Sequence, residues 1–277
     1  MRTKTKSYSC AESGREVIQN PRYSSRTAQV EGAESKVERI IGWLNVLDIT
    51  KRPVLDLHPK NLAEALMMKL YGVPAAPNPT KVMLYLAERE AQGARIDIEQ
   101  VRVNTLKGEQ NQPEHLARNA FGALPTLELD NGQFIVESLA IIYFLEDLFP
   151  EGALQPAEPV ARGLARDMER NIETRFANNL GRYVHAVNSP LGLPKDPRVA
   201  SEIEAAMPKA LAYIENILSD GRPLLGGDKV SVADCTLQSA LQFARFGKVD
   251  VIADWAGIRA WDERYRQRPA AQAVLKF

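Results

Sequence analysis

The chain has 277 residues, 45% of them hydrophobic and 25% charged, with 35 basic and 35 acidic side chains. That is ordinary composition for one large or two small folded domains, and a balanced charge gives no electrostatic reason to expect a nucleic-acid partner. No run approaches the ~20 apolar residues of a membrane span, and Cys10 and Cys235 form neither a disulfide scaffold nor a zinc-spaced cluster. The expectation is therefore no membrane, no metal and a reducing, cytoplasmic setting.

Residues 1–66 differ from the rest, being rich in Ser, Thr, Lys and Arg up to about Arg26. They read as a disordered or loosely attached leader, ahead of an alternative start at Met67 or Met68, with one helically spaced segment at 37–47. Regular signals then begin. Residues 69–73 form a short strand ending at Pro74, and 80–91 carry Val82, Met83, Leu86 and Ala87 at helical spacing. Residues 96–103 alternate as a second strand. Strand, helix and strand of this size make a βαβ unit with parallel strands. A weaker helix is expected at 112–118, followed by the loop 119–125.

A hairpin comes next. Thr126-Leu-Glu-Leu129 alternates, Asn131-Gly132 is a strong turn signal, and Phe134-Ile-Val136 returns. Pro125 stands just before the strand, where it removes a ladder donor and marks backbone that serves something else. Glu137-Ser138 opens the apolar helix 139–148. Two polar side chains and unpaired helical N–H groups at one helix start suit a carboxylate.

Residues 149–159 are rich in Pro and Gly and read as a linker. Everything after them is helical: one long helix at 160–187, a break at 188–197, and a helix at 198–218 that Pro208 should kink. A loop covers 221–227, and Ser231-Val-Ala-Asp234 is a capping box with Val230 placed to staple onto Cys235. That helix runs to about 246, and helices at 255–268 and 269–275 finish the chain. The organisation expected is a leader 1–66, an α/β domain 67–148, a linker 149–159 and an all-helical domain 160–277.

Several motifs in this order resemble the cytosolic glutathione transferases, in particular bacterial theta-, phi- and nu-like members. The resemblance covers about residues 68–277. Lys69-Leu-Tyr-Gly-Val-Pro-Ala-Ala-Pro-Asn78 resembles the first strand and its thiol-activating loop. Asn119-Ala-Phe-Gly-Ala-Leu-Pro125 resembles the family's cis-proline loop, Glu137-Ser138 its acid-serine pair, Val232-Ala-Asp234 its helical capping box, and Arg268-Pro-Ala its closing motif. The resemblance implies an α/β plus all-α protein: a thioredoxin-like βαβαββα domain followed by an all-helical one. It also implies glutathione as co-substrate, no metal, a small hydrophobic electrophile as partner, and a homodimer.

Site residues follow from the same resemblance. A cis Leu124-Pro125 bond would turn the Leu124 backbone toward the cysteinyl part of glutathione, pairing with it like an added strand. Ser138 and its helix start would take the glutamyl carboxylate, and Glu137 the amino group. Gln110 and Asn111 match a segment that faces the glycyl carboxylate in phi members, with solvated loop as the other reading. The thiol-activating position aligns with Ala76, so the usual hydroxyl is missing and no cysteine lies in the loop. Asn78 is the remaining polar side chain there and is the candidate catalytic residue as a donor to the thiolate. Asn78 followed by Pro79 also fits an N-cap with proline at N1. Tyr71 is expected in the core, and Cys235 and His185 as structural. Phe176, Asn179 and Tyr183 share a helical face that serves as electrophile wall, core or dimer contact. Arg162, Arg166 and Arg170 line either a cleft between subunits or a solvated face.

The function implied is conjugation of glutathione thiolate to small hydrophobic electrophiles. Alternatives on the same fold are a glutathione-dependent disulfide-bond reductase or peroxidase, and a non-catalytic glutathione-binding interaction protein.

Overall fold

Strand β1 (Met68–Gly72) leads into helix α1 (Pro77–Ala91), and β2 (Ile98–Arg102) returns parallel to β1, with Met68 opposite Ile98 and Gly72 opposite Arg102. This is a computed structural model, and it describes residues 67–276. The leader 1–66, the helix read at 37–47 and Cys10 lie outside the described residues. Two 3-10 turns (Thr105–Lys107 and Glu109–Asn111) and the short helix α2 (Pro113–Arg118) carry the chain across. Strands β3 (Thr126–Glu128) and β4 (Phe134–Ile135) then form the hairpin, turning at Gly132 with φ +74°. β3 lies antiparallel to β1, so the sheet runs β2-β1-β3-β4. Helix α3 (Ser138–Leu148) completes the expected βαβαββα order.

β1 is an inner strand, and all of its residues but the half-exposed Lys69 are buried. Leu70 is fully buried, and Tyr71 is buried as the sequence suggested. The Tyr71 hydroxyl donates to Glu128 Oε2 at 2.5 Å while the Arg118 guanidinium covers its ring. Burial, and then that carboxylate, push the phenol above its usual range. β2, at the edge, is half open to solvent.

The second half is helical: α4 (Pro159–Asn171), a π-helical turn (Ile172–Ala177), α5 (Asn178–Asn188), α6 (Pro197–Leu218), α7 (Val232–Phe246), α8 (Ala256–Arg266) and α9 (Pro269–Val274). α7 is the hub. It is buried continuously from Val232 to Ala244, the pattern of a helix enclosed on every side. α1 packs against it from the sheet domain, and α4, the π turn and α5 pack against it from the other side.

One helical expectation is corrected. The single helix read at 160–187 is a continuous run from Pro159 to Asn188 interrupted by the π turn. Glu169 of α4 and Glu173 and Phe176 of the π turn are all buried, at the i, i+4, i+7 spacing of one helical face. α6 continues through Pro208, which lies on its exposed face.

The capping box at Ser231 is formed, and its acid does more than cap. Asp234, fully buried, accepts from the Ser231 N–H (2.8 Å) and hydroxyl (2.7 Å), the Leu225 N–H (2.8 Å) and the Trp261 indole N–H (2.9 Å). One carboxylate thus ties the 221–227 loop, α7 and α8 together. Among the described residues no helix is long and apolar enough to cross a membrane, and no group of three or more His, Cys, Asp or Glu is placed to hold a metal ion.

Candidate functional site

Three loops converge on the first turns of α1. The register that sets Tyr71 opposite Thr126 brings Leu124 and Pro125 beside the end of β1. The start of α3 is joined to α1 directly, because Lys81 Nζ donates to Ser138 Oγ at 3.3 Å.

The loop before α1 departs from its sequence reading. Its N-cap is Ala76, half-exposed, with Pro77 at N1, and the Ala76 carbonyl accepts from Thr80 N–H at 3.0 Å. Asn78 is therefore at N2 and is not the cap. Both prolines fit the first turn, where the N–H groups have no intrahelical partner in any case. The consequence is chemical. Pro77 and Pro79 have no N–H, so Asn78 alone offers a backbone donor among the first three helical residues. Its amide side chain is exposed and makes no hydrogen bond among the described residues. Just upstream, Ala75 is buried at φ +74°, a left-handed conformation uncommon for a residue with a Cβ.

The proline loop is held from below. Asn119, buried, donates from Nδ2 to the Ala123 carbonyl (3.0 Å) and to Thr126 Oγ1 (3.3 Å), and its Oδ1 accepts from Phe121 N–H (3.1 Å). The buried His115 ring also reaches the Ala123 carbonyl, from Nε2 at 3.1 Å. The Leu124-Pro125 bond is cis. Pro125 is buried and Leu124 half-exposed, and neither the N–H nor the C=O of Leu124 pairs with another backbone group among the described residues. Gly122, at φ +60°, lies against the Glu109–Asn111 turn, where a Cβ would meet Asn111 Oδ1 at 2.9 Å and the Gln110 carbonyl at 3.1 Å. That contact brings Gln110 to the same loop. Its Oε1 is buried without a partner among the described residues.

At the start of α3 the cap is Glu137, exposed, and Ser138 is the first helical residue, buried at 3% exposure. Ser138 is thus not the N-cap, a role a serine at a helix start commonly fills. Behind it is an ion cluster that sequence reasoning missed. Lys81 is 1% exposed and meets Glu173 Oε1 at 2.5 Å and Glu169 Oε1 at 3.9 Å, besides Ser138. Arg170 pairs with the other oxygen of Glu173, and Thr236 donates to Glu169 Oε1 at 2.8 Å. Burial first, then the neighbouring Glu173, raise the Glu169 carboxyl to about 7 against the pull of Lys81. In the sequence the acids at 169 and 173 accompany the arginines 162, 166 and 170, a set that fits a polar cleft or a solvated face equally. The only local hint was their i, i+4 spacing.

Other expectations resolve as follows. Phe176 is in the core, Asn179 donates to the Arg175 carbonyl, and Tyr183 donates to Glu204 of α6 at 2.5 Å. The Tyr183 phenol, pushed up to about 12 chiefly by that carboxylate, is engaged with α6, while Phe176 and Asn179 line a cavity between this helical run and α6. Arg162 donates to the Ala157 carbonyl, and Arg166 to Gln155 while covering the Tyr143 ring. Cys235 is fully buried, and burial pushes its thiol well above the usual range, as expected of an inert side chain. His185, half-buried against Phe243 with Nδ1 2.8 Å from Ser189 Oγ, is likewise structural.

Comparison with known proteins agrees with this geometry. Residues 66–147 match the family described as glutathione S-transferase, N-terminal domain, and residues 197–267 match its C-terminal domain. Glutathione S-transferase 2 of Saccharomyces cerevisiae is 31% identical over 214 residues, covering 76% of this chain and 90% of the yeast protein. A maleylacetoacetate isomerase of Pseudomonas aeruginosa is 30% identical, covering 73% and 93% of the respective chains. The crystal structure of Gtt2 from Saccharomyces cerevisiae superposes with a TM-score of 0.65 at 30% identity, covering 75% of this chain and all of the other.

Proposed function

The chain belongs to the glutathione S-transferase family, and on that footing we propose that it conjugates glutathione thiolate to small hydrophobic electrophiles. The observation that carries this reading is the convergence around α1. A free Leu124 backbone lies beside the end of β1, and a buried serine backed by a cation lies at the start of α3. An extended peptide lies along Leu124 and takes up its unpaired N–H and C=O. Its glutamyl carboxylate meets Ser138 and the α3 N-terminus, its amino group meets Glu137, and its glycyl end approaches Gln110. The cysteinyl sulfur then lies toward Ala76 and Asn78. There the positive end of α1 and the Asn78 donors favour thiolate over thiol. The thiol proton leaves to solvent, and the thiolate attacks the electrophilic carbon as an anionic leaving group departs or as an activated double bond opens, its electron pair then taking a proton from solvent. Metal-free catalysis and a cytoplasmic setting belong to the same proposal. The decisive experiment is calorimetric titration of the purified protein with glutathione, together with conjugation rates over a panel of electrophiles. Neither binding nor turnover would overturn the reading, and faster disulfide reduction or peroxide reduction than conjugation would replace it with the reductive one.

Asn78→Ala tests the activation step. The variant keeps the backbone N–H and loses the side-chain donor, so turnover at saturating glutathione is expected to fall about tenfold. Affinity for glutathione and thermal midpoint should hold, since the exposed amide makes no hydrogen bond among the described residues. An unchanged rate assigns thiolate stabilisation to backbone alone.

A homodimer is part of the proposal. Phe121 is 84% exposed on the proline loop, and Val160 and Leu164 are exposed on α4. A cavity of about 450 Å³ between the π turn and α6, with Ile172, Phe176 and Ala210 in its wall, offers apolar surface for an aromatic ring of a second copy. Phe121→Ser is expected to weaken self-association at least about tenfold, as loss of one buried aromatic anchor does. Sedimentation equilibrium reads this, and an unchanged dimer constant would remove Phe121 from the interface.

A further inference from the structure

The cluster behind Ser138 has features that a structural ion pair does not need. Lys81 is buried, and its ammonium divides its donors between Glu173, Ser138 and, more distantly, Glu169. Since a lysine ammonium only donates, Ser138 Oγ must accept from it, and the serine's own O–H proton is left free to point elsewhere. A carboxylate needs that arrangement: a hydroxyl whose lone pair is engaged behind and whose proton faces out. On the far side of Lys81, Glu169 Oε1 is held by the Thr236 hydroxyl of α7, while Oε2 is buried with no partner among the described residues.

We propose that Lys81, Glu169 and Glu173 form a proton-linked support for the glutamyl carboxylate of glutathione: Lys81 fixes the direction of the Ser138 hydroxyl, and the protonation of Glu169 sets the charge behind it. This rests on Ser138 as the carboxylate site and adds to it the residues that tune that site.

The charges facing Glu169 come from every neighbouring element. Lys81 projects from α1, Arg170 from α4, Glu173 from the π turn, and Tyr143, itself covered by Arg166, from α3, while α7 contributes the neutral Thr236. In the ion cluster itself, Lys81 and Arg170 oppose Glu173 and Glu169. With Glu169 ionised the four cancel, and with Glu169 protonated the cluster carries one net positive charge. An anion at Ser138 prefers the second state. By reciprocity the bound anion raises the proton affinity of Glu169, and the proton raises the affinity for the anion. Burial places this exchange at about pH 7. Lys81 and Glu169 are thus positioning residues, acting on the substrate through Ser138.

The test is calorimetric titration of the whole protein with S-methylglutathione, which has no ionisable thiol, between pH 6 and 8. The wild type is expected to bind about two- to fivefold more tightly at pH 6 than at pH 8, corresponding to a shift of half to one pKa unit on binding. Glu169→Gln keeps the acceptor for Thr236 and should bind tightly with no such pH response. Lys81→Arg should retain affinity, and Lys81→Met should lose both affinity and response. Thr236→Val withdraws the bond that favours the charged carboxylate, so it should move the midpoint of the response to higher pH, and it serves if Glu169→Gln does not fold. A flat wild-type profile, a full response in Glu169→Gln, or an unmoved midpoint in Thr236→Val overturns the inference. Ser138→Ala separates the two levels. If it binds like wild type at every pH, the carboxylate reading itself fails. If it weakens binding while Glu169→Gln keeps the response, only the support fails.

Discussion

Arg89→Met is expected to lower the stability of the folded chain by about 3–5 kcal/mol, the cost of removing one partner from a buried ion pair. Arg89 sits near the end of α1 with no exposed surface. Its Nη1 donates to Tyr85 Oη (2.5 Å) and Glu146 Oε1 (3.0 Å), and its Nη2 to the carbonyls of Phe149 (2.7 Å) and Glu151 (2.9 Å). Glu146 in turn accepts from the N–H groups of Leu154 (3.0 Å) and Gln155 (2.9 Å). One guanidinium therefore holds α1, the end of α3 and the chain that leads into the helical half. Methionine fills much of the volume and bonds none of these groups, leaving two carbonyls and part of a carboxylate unsatisfied in the interior. Urea unfolding followed by circular dichroism reads the loss. The double variant with Glu146→Gln should lose less than the sum of the single changes, since the two share one network. Additive losses would mean that the pair does not act as a unit.

What the sequence disclosed and what it hid divide along one physical line. The hairpin was legible because Asn131-Gly132 and the alternation on either side are local, and so was the parallel pairing of β1 with β2, which the length of the βαβ unit requires. The start of α1 was misread by two residues because Pro77 and Pro79 each fit N1, and no polar side chain marks Ala76 as the cap. Among the site residues, the proline loop and Glu137-Ser138 stood out because their chemistry is written in adjacent residues. Lys81, Glu88, Arg89 and Glu173 did not. Charged positions on amphipathic helices read as solvated, and their burial depends on partners far along the chain. Lys81 meets residues 57 and 92 positions away, and Glu88 meets Arg268 across 180. Such pairs leave no period in the sequence. The π turn was hidden for a related reason: Ile172 to Ala177 contain no Gly or Pro to mark it.

Ser138→Ala is expected to weaken glutathione binding by about 10- to 100-fold, the range for loss of one hydrogen bond to a charged group in a buried setting. The size follows from where the serine is. Its side chain is buried, so the bond it makes to a carboxylate is shielded from water, and Lys81 behind it strengthens that bond. Glu137 is the contrast. It is exposed, so its attraction for the amino group is screened, and Glu137→Gln should cost about fivefold or less. The cost to folding runs the other way from what a serine at a helix start would suggest. The cap is Glu137, and Lys81 keeps Glu173 when Ser138 is truncated, so the alanine variant should unfold close to the wild-type midpoint. Titration calorimetry and thermal unfolding on the same sample separate the cases. A loss of affinity at unchanged stability makes Ser138 a binding residue. A loss of about 1 kcal/mol in stability at unchanged affinity would make it a cap after all, and would remove the anchor from which the position of the sulfur near Asn78 is argued.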